Sequence, residues 1–159
     1  DPDYVMRREA QLLISYAGSP VVAEGAGARA PDATGLHRDS VTGALRLFTL
    51  LNRLDHTVVL YAGAGVSDTA ALEATADAAR DVTHGTAQVF VVADPDAGVA
   101  DTVLPVIRDT AGDFALAYGA AGLSVFVVRP DGYLSLAVRD LSPTAAAGTV
   151  TAHLRTTFA

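Results

Sequence analysis

One stretch of the chain, residues 57–94, most constrains the fold. It holds an apolar run at Thr57–Tyr61, a glycine-containing turn at 62–67, an alanine-rich segment with helical spacing that we expect to end at Gly85, and a second apolar run at Ala87–Val92. This order predicts a βαβ unit. Both runs are continuous and rich in β-branched residues, which is typical of strands covered on both faces in a largely parallel sheet. The sequence therefore predicts an α/β fold.

Length and composition indicate a single globular domain. The chain has 159 residues, of which 50% are hydrophobic and 18% are charged. A chain of this size can bury its own core. No apolar run approaches the roughly 20 residues that a membrane helix requires. The first residues also lack the basic and then apolar pattern of a signal peptide, so we expect a cytoplasmic protein with no membrane partner.

Charge and cysteine content exclude several function classes. The formal charge is −7, and the Lys+Arg residues are all arginines, spread along the sequence with one adjacent pair at Arg7-Arg8. A protein that binds nucleic acid usually clusters its basic residues, so we expect no nucleic-acid partner. Cysteine is absent, which removes disulfides, thiolate metal sites and thiol mechanisms from this sequence.

The remaining elements predict a thioredoxin-like domain with a central mixed β-sheet flanked by helices. Before the βαβ unit we expect a helix to about Ile14, an extended connecting arm over 16–36, and a short strand running into a helical turn over 45–51. After the unit we expect a short strand over 101–108, a helical turn at 114–118, a hairpin of 123–129 and 133–138, and a closing helix from Ser142-Pro143. The hairpin turn is Pro130-Asp131-Gly132, a typical turn sequence. Residues 1–20 are assigned to the first helix and connector, and 21–159 to the thioredoxin-like domain.

Three short motifs sharpen this assignment. They are Gly-Ala-Arg-Ala-Pro-Asp at 27–32, Tyr-Gly-Ala at 118–120 and Val-Arg-Pro-Asp-Gly-Tyr at 128–133. In this order and spacing they resemble the C-terminal thioredoxin-like domain of FAD-dependent aromatic-ring hydroxylases, the group of phenol hydroxylase and the aromatic polyketide hydroxylases. The resemblance implies a parent monooxygenase that uses FAD and NAD(P)H, with its flavin motifs upstream of Asp1. This segment would hold no cofactor, and its partners would be the upstream flavoprotein module and a second copy in a homodimer.

The position of the thioredoxin nucleophile carries no cysteine. Thioredoxin enzymes place that cysteine at the N-terminus of the first long helix, where the helix dipole stabilises the thiolate. Here Ser67 and Thr69 lie nearby, and we expect them to cap the helix. Redox-active members also carry a cis-proline before the hairpin strand, where this chain has Gly122-Leu123-Ser124. We therefore expect a redox-inactive domain without the CxxC motif.

The glycine turn also imitates a dinucleotide-binding fingerprint. Gly63 and Gly65 follow a strand and open a helix, and Asp94 ends the next strand, where an acidic residue would bind ribose. The third glycine position is Asp68, whose negative charge would oppose a pyrophosphate and favour the helix N-terminus. A nucleotide-binding module without thiol chemistry is thus one alternative function.

Other polar and aromatic residues receive structural interpretations. Asp94, Asp96 and Asp101 lack the spacing of a calcium loop, so we expect a solvated loop. His37, His56, His84 and His153 are dispersed, and we expect surface or capping roles. Arg29 is expected to fix the arm by a salt bridge. The sequence thus predicts no catalytic, cofactor-binding or metal-binding residue.

Two further expectations concern apolar surface. In a free-standing peroxiredoxin-like module, the second alternative, a small aromatic ligand would lie among Tyr61, Phe90 and Phe126. In the hydroxylase interpretation, the first helix and arm would present apolar side chains to the flavoprotein module. These side chains are Val5, Leu12, Leu13, Tyr16, Val21 and Val22.

Overall fold

The computed structural model describes residues 2–10 and 13–158, apart from the side chains of Pro2, Arg8 and Glu9. The helices are α1 (Pro2–Glu9), α2 (Leu47–Leu50), α3 (Thr69–Val82), α4 (Asp113–Tyr118) and α5 (Pro143–Phe158). The strands are β1 (Leu36–His37), β2 (Thr57–Ala62), β3 (Gln88–Ala93), β4 (Val106–Asp109), β5 (Leu123–Val128) and β6 (Leu134–Leu141). No helix in the described ranges is both long and apolar enough to cross a membrane.

The six strands form one mixed sheet in the order β1-β4-β3-β2-β5-β6. Strand β2 pairs in parallel with β3, as the βαβ pattern predicts, and β3 pairs in parallel with β4. The pairings of β2 with β5, β5 with β6 and β1 with β4 are antiparallel. The expectation of a largely parallel sheet is therefore wrong. The hairpin of β5 and β6 adds antiparallel strands beside β2, because a short turn joins only antiparallel neighbours.

Helices cover both faces of the sheet and give the domain three layers. Helices α3 and α5 pack on one face, where they meet alternate residues of β2 such as Val58 and Leu60. Helices α2 and α4 cover the other face, where Val59 and Tyr61 point. All six residues of β2 are consequently buried, as are all six of β5. This arrangement confirms the thioredoxin-like α/β architecture and explains why both strands are continuously apolar.

Helix α3 follows its sequence pattern closely. Its buried residues are Leu72, Thr75, Ala76 and Ala79, which recur at helical spacing. Gly85 lies just past the helix with a φ of +80°, and its N–H donates to the Arg80 carbonyl at 2.8 Å. A glycine in this conformation satisfies a free carbonyl of the last turn without side-chain strain. The predicted helix and its predicted end are both confirmed.

Helix α4 anchors an aromatic cluster on the second face of the sheet. The Phe114 ring stacks on Tyr118 with centroids 4.2 Å apart, and it meets Tyr61 and Phe126 at 5.7 Å. Phe114 and Phe126 are fully buried. Stacked and edge-to-face pairs of this kind stabilise a core beyond the area that they bury.

The segment before β1 is not the simple connector that the sequence predicts. Its backbone runs along the β5–β6 hairpin: the Gly27 N–H donates to the Leu134 carbonyl at 2.8 Å, and the Ala30 N–H donates to the Gly132 carbonyl at 2.8 Å. Gly27 has a φ of +101°, and a Cβ added there would lie 2.7 Å from the carbonyl carbon of Tyr16. Only glycine fits this crossing of two backbones. The arm is thus part of the folded domain.

Three further element boundaries differ from the sequence prediction. Helix α1 ends at Glu9, so Ile14 lies beyond it, and Leu12 lies outside the described residues. The short strand expected at 45–51 is absent, since Leu45 forms only an isolated bridge to Leu36 before α2 begins. Strand β4 begins at Val106 because the preceding Pro105 has no N–H to donate to a sheet.

The aromatic cluster generates the first prediction. We expect Phe114→Ala to lower the free energy of unfolding by about 3–5 kcal/mol, because it leaves a cavity among the rings of Tyr61, Tyr118 and Phe126. Leu116→Ala is the matched control on the same helix, since Leu116 is 86% exposed, and it should change stability by no more than about 0.5 kcal/mol. Urea denaturation followed by circular dichroism measures both. Similar losses in the two variants would contradict the assigned packing of α4.

Candidate functional site

The carboxyl end of β2 is the place where the sequence puts a candidate site. The Gly63 N–H donates to the Gly122 carbonyl at 2.8 Å, which joins the turn after β2 to the start of β5. A Cβ added at Gly63 would lie 3.0 Å from the Gly122 nitrogen. The two backbones therefore touch beside the carboxyl end of β2, and a side chain at position 63 would be crowded by Gly122.

A loop covers the other side of the same turn. The Asp94 N–H donates to the Ala62 carbonyl at 2.8 Å, and the Gly98 N–H donates to the Val66 carbonyl at 2.9 Å. The Asp94 Oδ1 accepts a hydrogen bond from the Asp96 N–H at 2.9 Å, a side-chain turn that stabilises the loop itself. The Asp94 side chain stands where the dinucleotide fingerprint would place a ribose-binding acid, and in the structure it stabilises its own loop.

Asp68 caps helix α3, and the expectation that Ser67 and Thr69 do so is wrong. Its Oδ1 accepts a hydrogen bond from the Ala71 N–H at 2.9 Å. Asp, Ser and Thr are all good caps, but only a carboxylate adds a favourable charge interaction with the helix dipole. The carboxylate occupies the place where a nucleotide pyrophosphate would bind. The residues at this turn therefore do not fit FAD or NAD(P).

The described residues do not assemble a metal site. No group of three or more histidine, aspartate and glutamate side chains among them is placed to hold a metal ion. The hydroxyls of Ser67 and Thr69, near the turn, have no histidine beside them: His56 precedes β2 at the opposite end of the sheet, and His153 lies on α5, where it contacts Ser135. The turn after β2 therefore does not pair a hydroxyl with a histidine.

Two of the four histidines have more specific contacts than the sequence predicts. His153 on α5 shares a hydrogen bond of 2.9 Å between its Nε2 and the Ser135 Oγ of β6. His56 packs edge-on against Phe158, with centroids 5.1 Å apart. Burial, and then the charge of His56, lowers the pKa of His153; burial, and then the charge of Arg129, lowers the pKa of His56. His84 is exposed at the end of α3, as expected.

The salt bridge that fixes the arm involves a different arginine from the one predicted. Arg29 forms no ion pair with any described residue, whereas Arg46 donates from its Nε to the Asp32 Oδ2 at 2.7 Å. The other oxygen of Asp32 accepts the Phe48 N–H at 3.1 Å. Asp32 thus ties the arm to α2. In the sequence, this role of Asp32 is indicated by its position at the end of the first motif.

The three aromatic residues considered for a ligand are core residues. Tyr61, Phe90 and Phe126 are each at most 3% exposed and belong to the cluster on the second face of the sheet. The Phe126 ring meets Tyr118 edge-on at 5.0 Å. Neighbouring side chains of the protein fill the space where a ligand ring was expected.

The structure brings the three short motifs together. Arg29 and Tyr133 pair as an isolated bridge, which joins the first motif to the third. The Tyr118 hydroxyl of the second motif donates to the Pro31 carbonyl at 2.7 Å. Burial raises the pKa of Tyr118 far above its usual range, so this hydroxyl keeps its proton at neutral pH. The three motifs therefore form one structural unit.

Two features of the structure are not predicted by the sequence. The first is the hydrogen bond between His153 and Ser135, whose partners are 18 residues apart. The second is a cleft beside the hairpin turn that is lined by Arg29, Arg53 and Arg129. The sequence scatters these arginines, and only the positions of Arg29 and Arg129 in the motifs indicated that they would meet.

Comparison with known proteins supports the fold. No protein-family model matches the chain, and no curated protein matches it significantly. Among solved structures, the chain is similar to aklavinone-11 hydroxylase in a complex with FAD and aklavinone (23% identity, TM-score 0.59, 83% of this chain and 21% of that chain). It is also similar to the flavin-dependent monooxygenase PieE in a complex with FAD and substrate (22% identity, TM-score 0.56, 81% and 19%).

A third similar structure is peroxidoxin BcpB from Mycobacterium tuberculosis, with 20% identity, a TM-score of 0.57, and coverage of 83% of this chain and 97% of that chain. The chain therefore spans about a fifth of the length of the two flavin enzymes and nearly all of the peroxidoxin. Because these sequence identities are low, the similarity to the three structures is evidence for the fold alone, which is thioredoxin-like.

The capping role of Asp68 can be measured directly. We expect Asp68→Ala to lower the free energy of unfolding by about 1 kcal/mol, because the Ala71 N–H loses its acceptor. Asp68→Asn keeps a capping oxygen and should recover most of that loss. Chemical denaturation compares the three proteins. Equal stability of Asp68→Ala and the parent chain would show that the carboxylate does not act as a cap.

The half-buried histidines predict a pH dependence. Because their pKa values are lower in the folded state than in the unfolded one, the unfolded chain binds more protons near pH 6. The free energy of unfolding should therefore fall as the pH drops from about 7.5 to about 5.5, through the usual histidine range. His153→Gln should reduce this fall, and His84→Asn at the exposed site should not. Denaturation curves across this pH range test the comparison.

Proposed function

We propose that this chain is a redox-inactive thioredoxin-like domain of an FAD-dependent aromatic-ring hydroxylase, with a role in assembly. The observation that carries this proposal is a strip of exposed apolar side chains at the start of the chain. Tyr4, Val5 and Met6 on α1 are 57%, 53% and 71% exposed, and Leu13 and Ile14 after it are 46% and 40% exposed. These five residues are called the N-terminal apolar strip below.

The strip differs from other exposed apolar side chains, such as Leu54, Val103 and Leu116, because those stand singly in the sequence, whereas the strip gathers five within residues 4–14. Both faces of the sheet are covered, and the core is complete without α1. Contiguous exposed apolar surface in a soluble protein usually marks an interaction site. A helix as short as α1 is also only marginally stable in water without a packing partner. Both considerations favour a partner that covers the strip.

The occupant that we propose is a flavoprotein module that precedes this domain in the same polypeptide. Three motifs resemble the hydroxylase family, and the chain is similar to about a fifth of each of two flavin-dependent enzymes. Interfaces between domains of one chain bury about 600–1,500 Å², which a helix and the segment after it can supply. FAD and NAD(P)H would be bound by that module, since the glycine turn of this domain does not fit a pyrophosphate.

The carboxyl end of β2 supports the redox-inactive part of the proposal. The sequence has no cysteine, and the residues at the start of α3 are Ser67, Asp68 and Thr69, whose side chains supply no thiol. Removal of the domain would then affect the stability and assembly of the parent enzyme while leaving its catalytic residues in place.

The proposal is tested in the product of the full open reading frame. We expect Met6→Glu to weaken docking by more than about 1 kcal/mol, because it buries a charge in an apolar interface. Val103→Glu is the matched control, since Val103 is 85% exposed in the loop before β4 and lies outside the strip. Thermal unfolding and limited proteolysis between the modules report docking.

Two outcomes would overturn the proposal. One is an open reading frame without a flavoprotein module upstream of this domain, because the strip would then lack its proposed occupant. The other is equal loss of docking in Met6→Glu and Val103→Glu, since the effect would then come from added charge and not from the strip.

A further inference from the structure

The cleft beside the hairpin turn gathers three arginines. Its volume is about 150 Å³, and it opens to solvent. The residues that line it include Arg29, Arg53 and Arg129 and one acidic residue, Asp131. The chain as a whole carries a formal charge of −7. Three guanidinium groups on one small cleft are therefore a local reversal of charge.

The single carboxylate does not neutralise the cleft. Asp131 pairs with Arg129 at 2.7 Å, and the Arg129 guanidinium also lies over the Tyr16 ring at 4.8 Å. Arg29 and Arg53 form no ion pair with any residue that the structure describes. Two positive charges thus remain without a carboxylate partner, and the third is held in place by its own contacts.

Backbone contacts fix the positions from which the arginines project. Arg29 pairs with Tyr133 across the arm and hairpin. Arg53 lies in a turn that is closed by a hydrogen bond from the Leu54 N–H to the Asn52 Oδ1 at 2.9 Å. The Arg129 N–H donates to the Tyr133 carbonyl at 2.9 Å. A site built on such fixed backbone needs little reorganisation when it binds a ligand.

The apolar part of the cleft indicates what else the ligand carries. Phe48 and Leu51, both half-buried, and Pro130 line it together with the arginines. Small-molecule sites commonly combine an apolar surface with a few polar groups that fix orientation. Guanidinium groups match the planar geometry of carboxylates and the oxygens of phosphates.

We propose that this cleft binds a small organic anion whose carboxylate or phosphate contacts Arg29 and Arg53 while its apolar or aromatic body lies on Phe48, Leu51 and Pro130. The net negative charge of the protein repels anions at long range. Saturable binding therefore requires the direct contacts of the cleft. The site lies at the amino end of β2, away from the glycine turn, and it does not depend on the proposed assembly role.

The test is calorimetric titration of the 159-residue chain with benzoate, phenyl phosphate and the neutral analogue benzamide, at fixed ionic strength. We expect saturable binding of benzoate or phenyl phosphate, with no binding of benzamide. The anion that binds more tightly identifies carboxylate or phosphate as the recognised group. The Arg29→Gln/Arg53→Gln double variant should bind at least about tenfold more weakly, because charge-assisted hydrogen bonds are lost.

Arg38→Gln is the matched control, since Arg38 is exposed, forms no described ion pair and does not line the cleft. It should bind within about twofold of the parent chain, because long-range charge alone contributes little at physiological salt. Circular dichroism confirms that each variant is folded. Absence of saturable anion binding, equal binding of benzamide, or equal losses in the double variant and Arg38→Gln would each overturn the proposal.

Discussion

The pairing between the arm and the β5–β6 hairpin is the interaction on which the rest of the structure depends. Without it, the backbone of Gly132 and Leu134 would lie open along the edge of the hairpin, and unpaired edges of this kind promote association with other chains. The arm supplies partners for these groups through Ala30 and Gly27. It also brings Ala26 and Ala30 into the core on the second face of the sheet. The pairing thus satisfies the backbone at the edge of the hairpin and adds to the core on the second face of the sheet.

This pairing also brings the three short motifs into contact. The first motif supplies the arm, the third supplies the hairpin turn, and Tyr118 of the second donates its hydroxyl to the Pro31 carbonyl between them. Backbone groups of the first motif are therefore satisfied by the second motif through Tyr118 and by the third through Gly132. A resemblance that rests on these residues is evidence for a shared fold, because the contacts are structural and would persist in a domain with no chemistry of its own.

Local pattern was sufficient to predict the elements whose structure depends on nearby residues. The βαβ unit, the end of α3 at Gly85 and the hairpin turn follow from periodicity and turn chemistry within a few residues. The pairing of the arm with β6, and that of His153 with Ser135, join residues far apart in sequence, and no local pattern encodes them. The cap of α3 was misassigned because Ser67, Asp68 and Thr69 are adjacent and all suitable, so only the backbone geometry selects one.

The two ends of β2 differ in what they leave available to a ligand. At the carboxyl end, the Gly63 N–H donates to the Gly122 carbonyl, and the Asp68 side chain caps the N-terminus of α3. The groups that bind anions or stabilise a thiolate in related folds are therefore already used within the protein. At the amino end, Arg29 and Arg53 project from fixed backbone and have no carboxylate partner among the described residues. Because recognition requires polar groups that folding does not consume, the binding capacity of this domain lies at the end of the sheet opposite to the thioredoxin site.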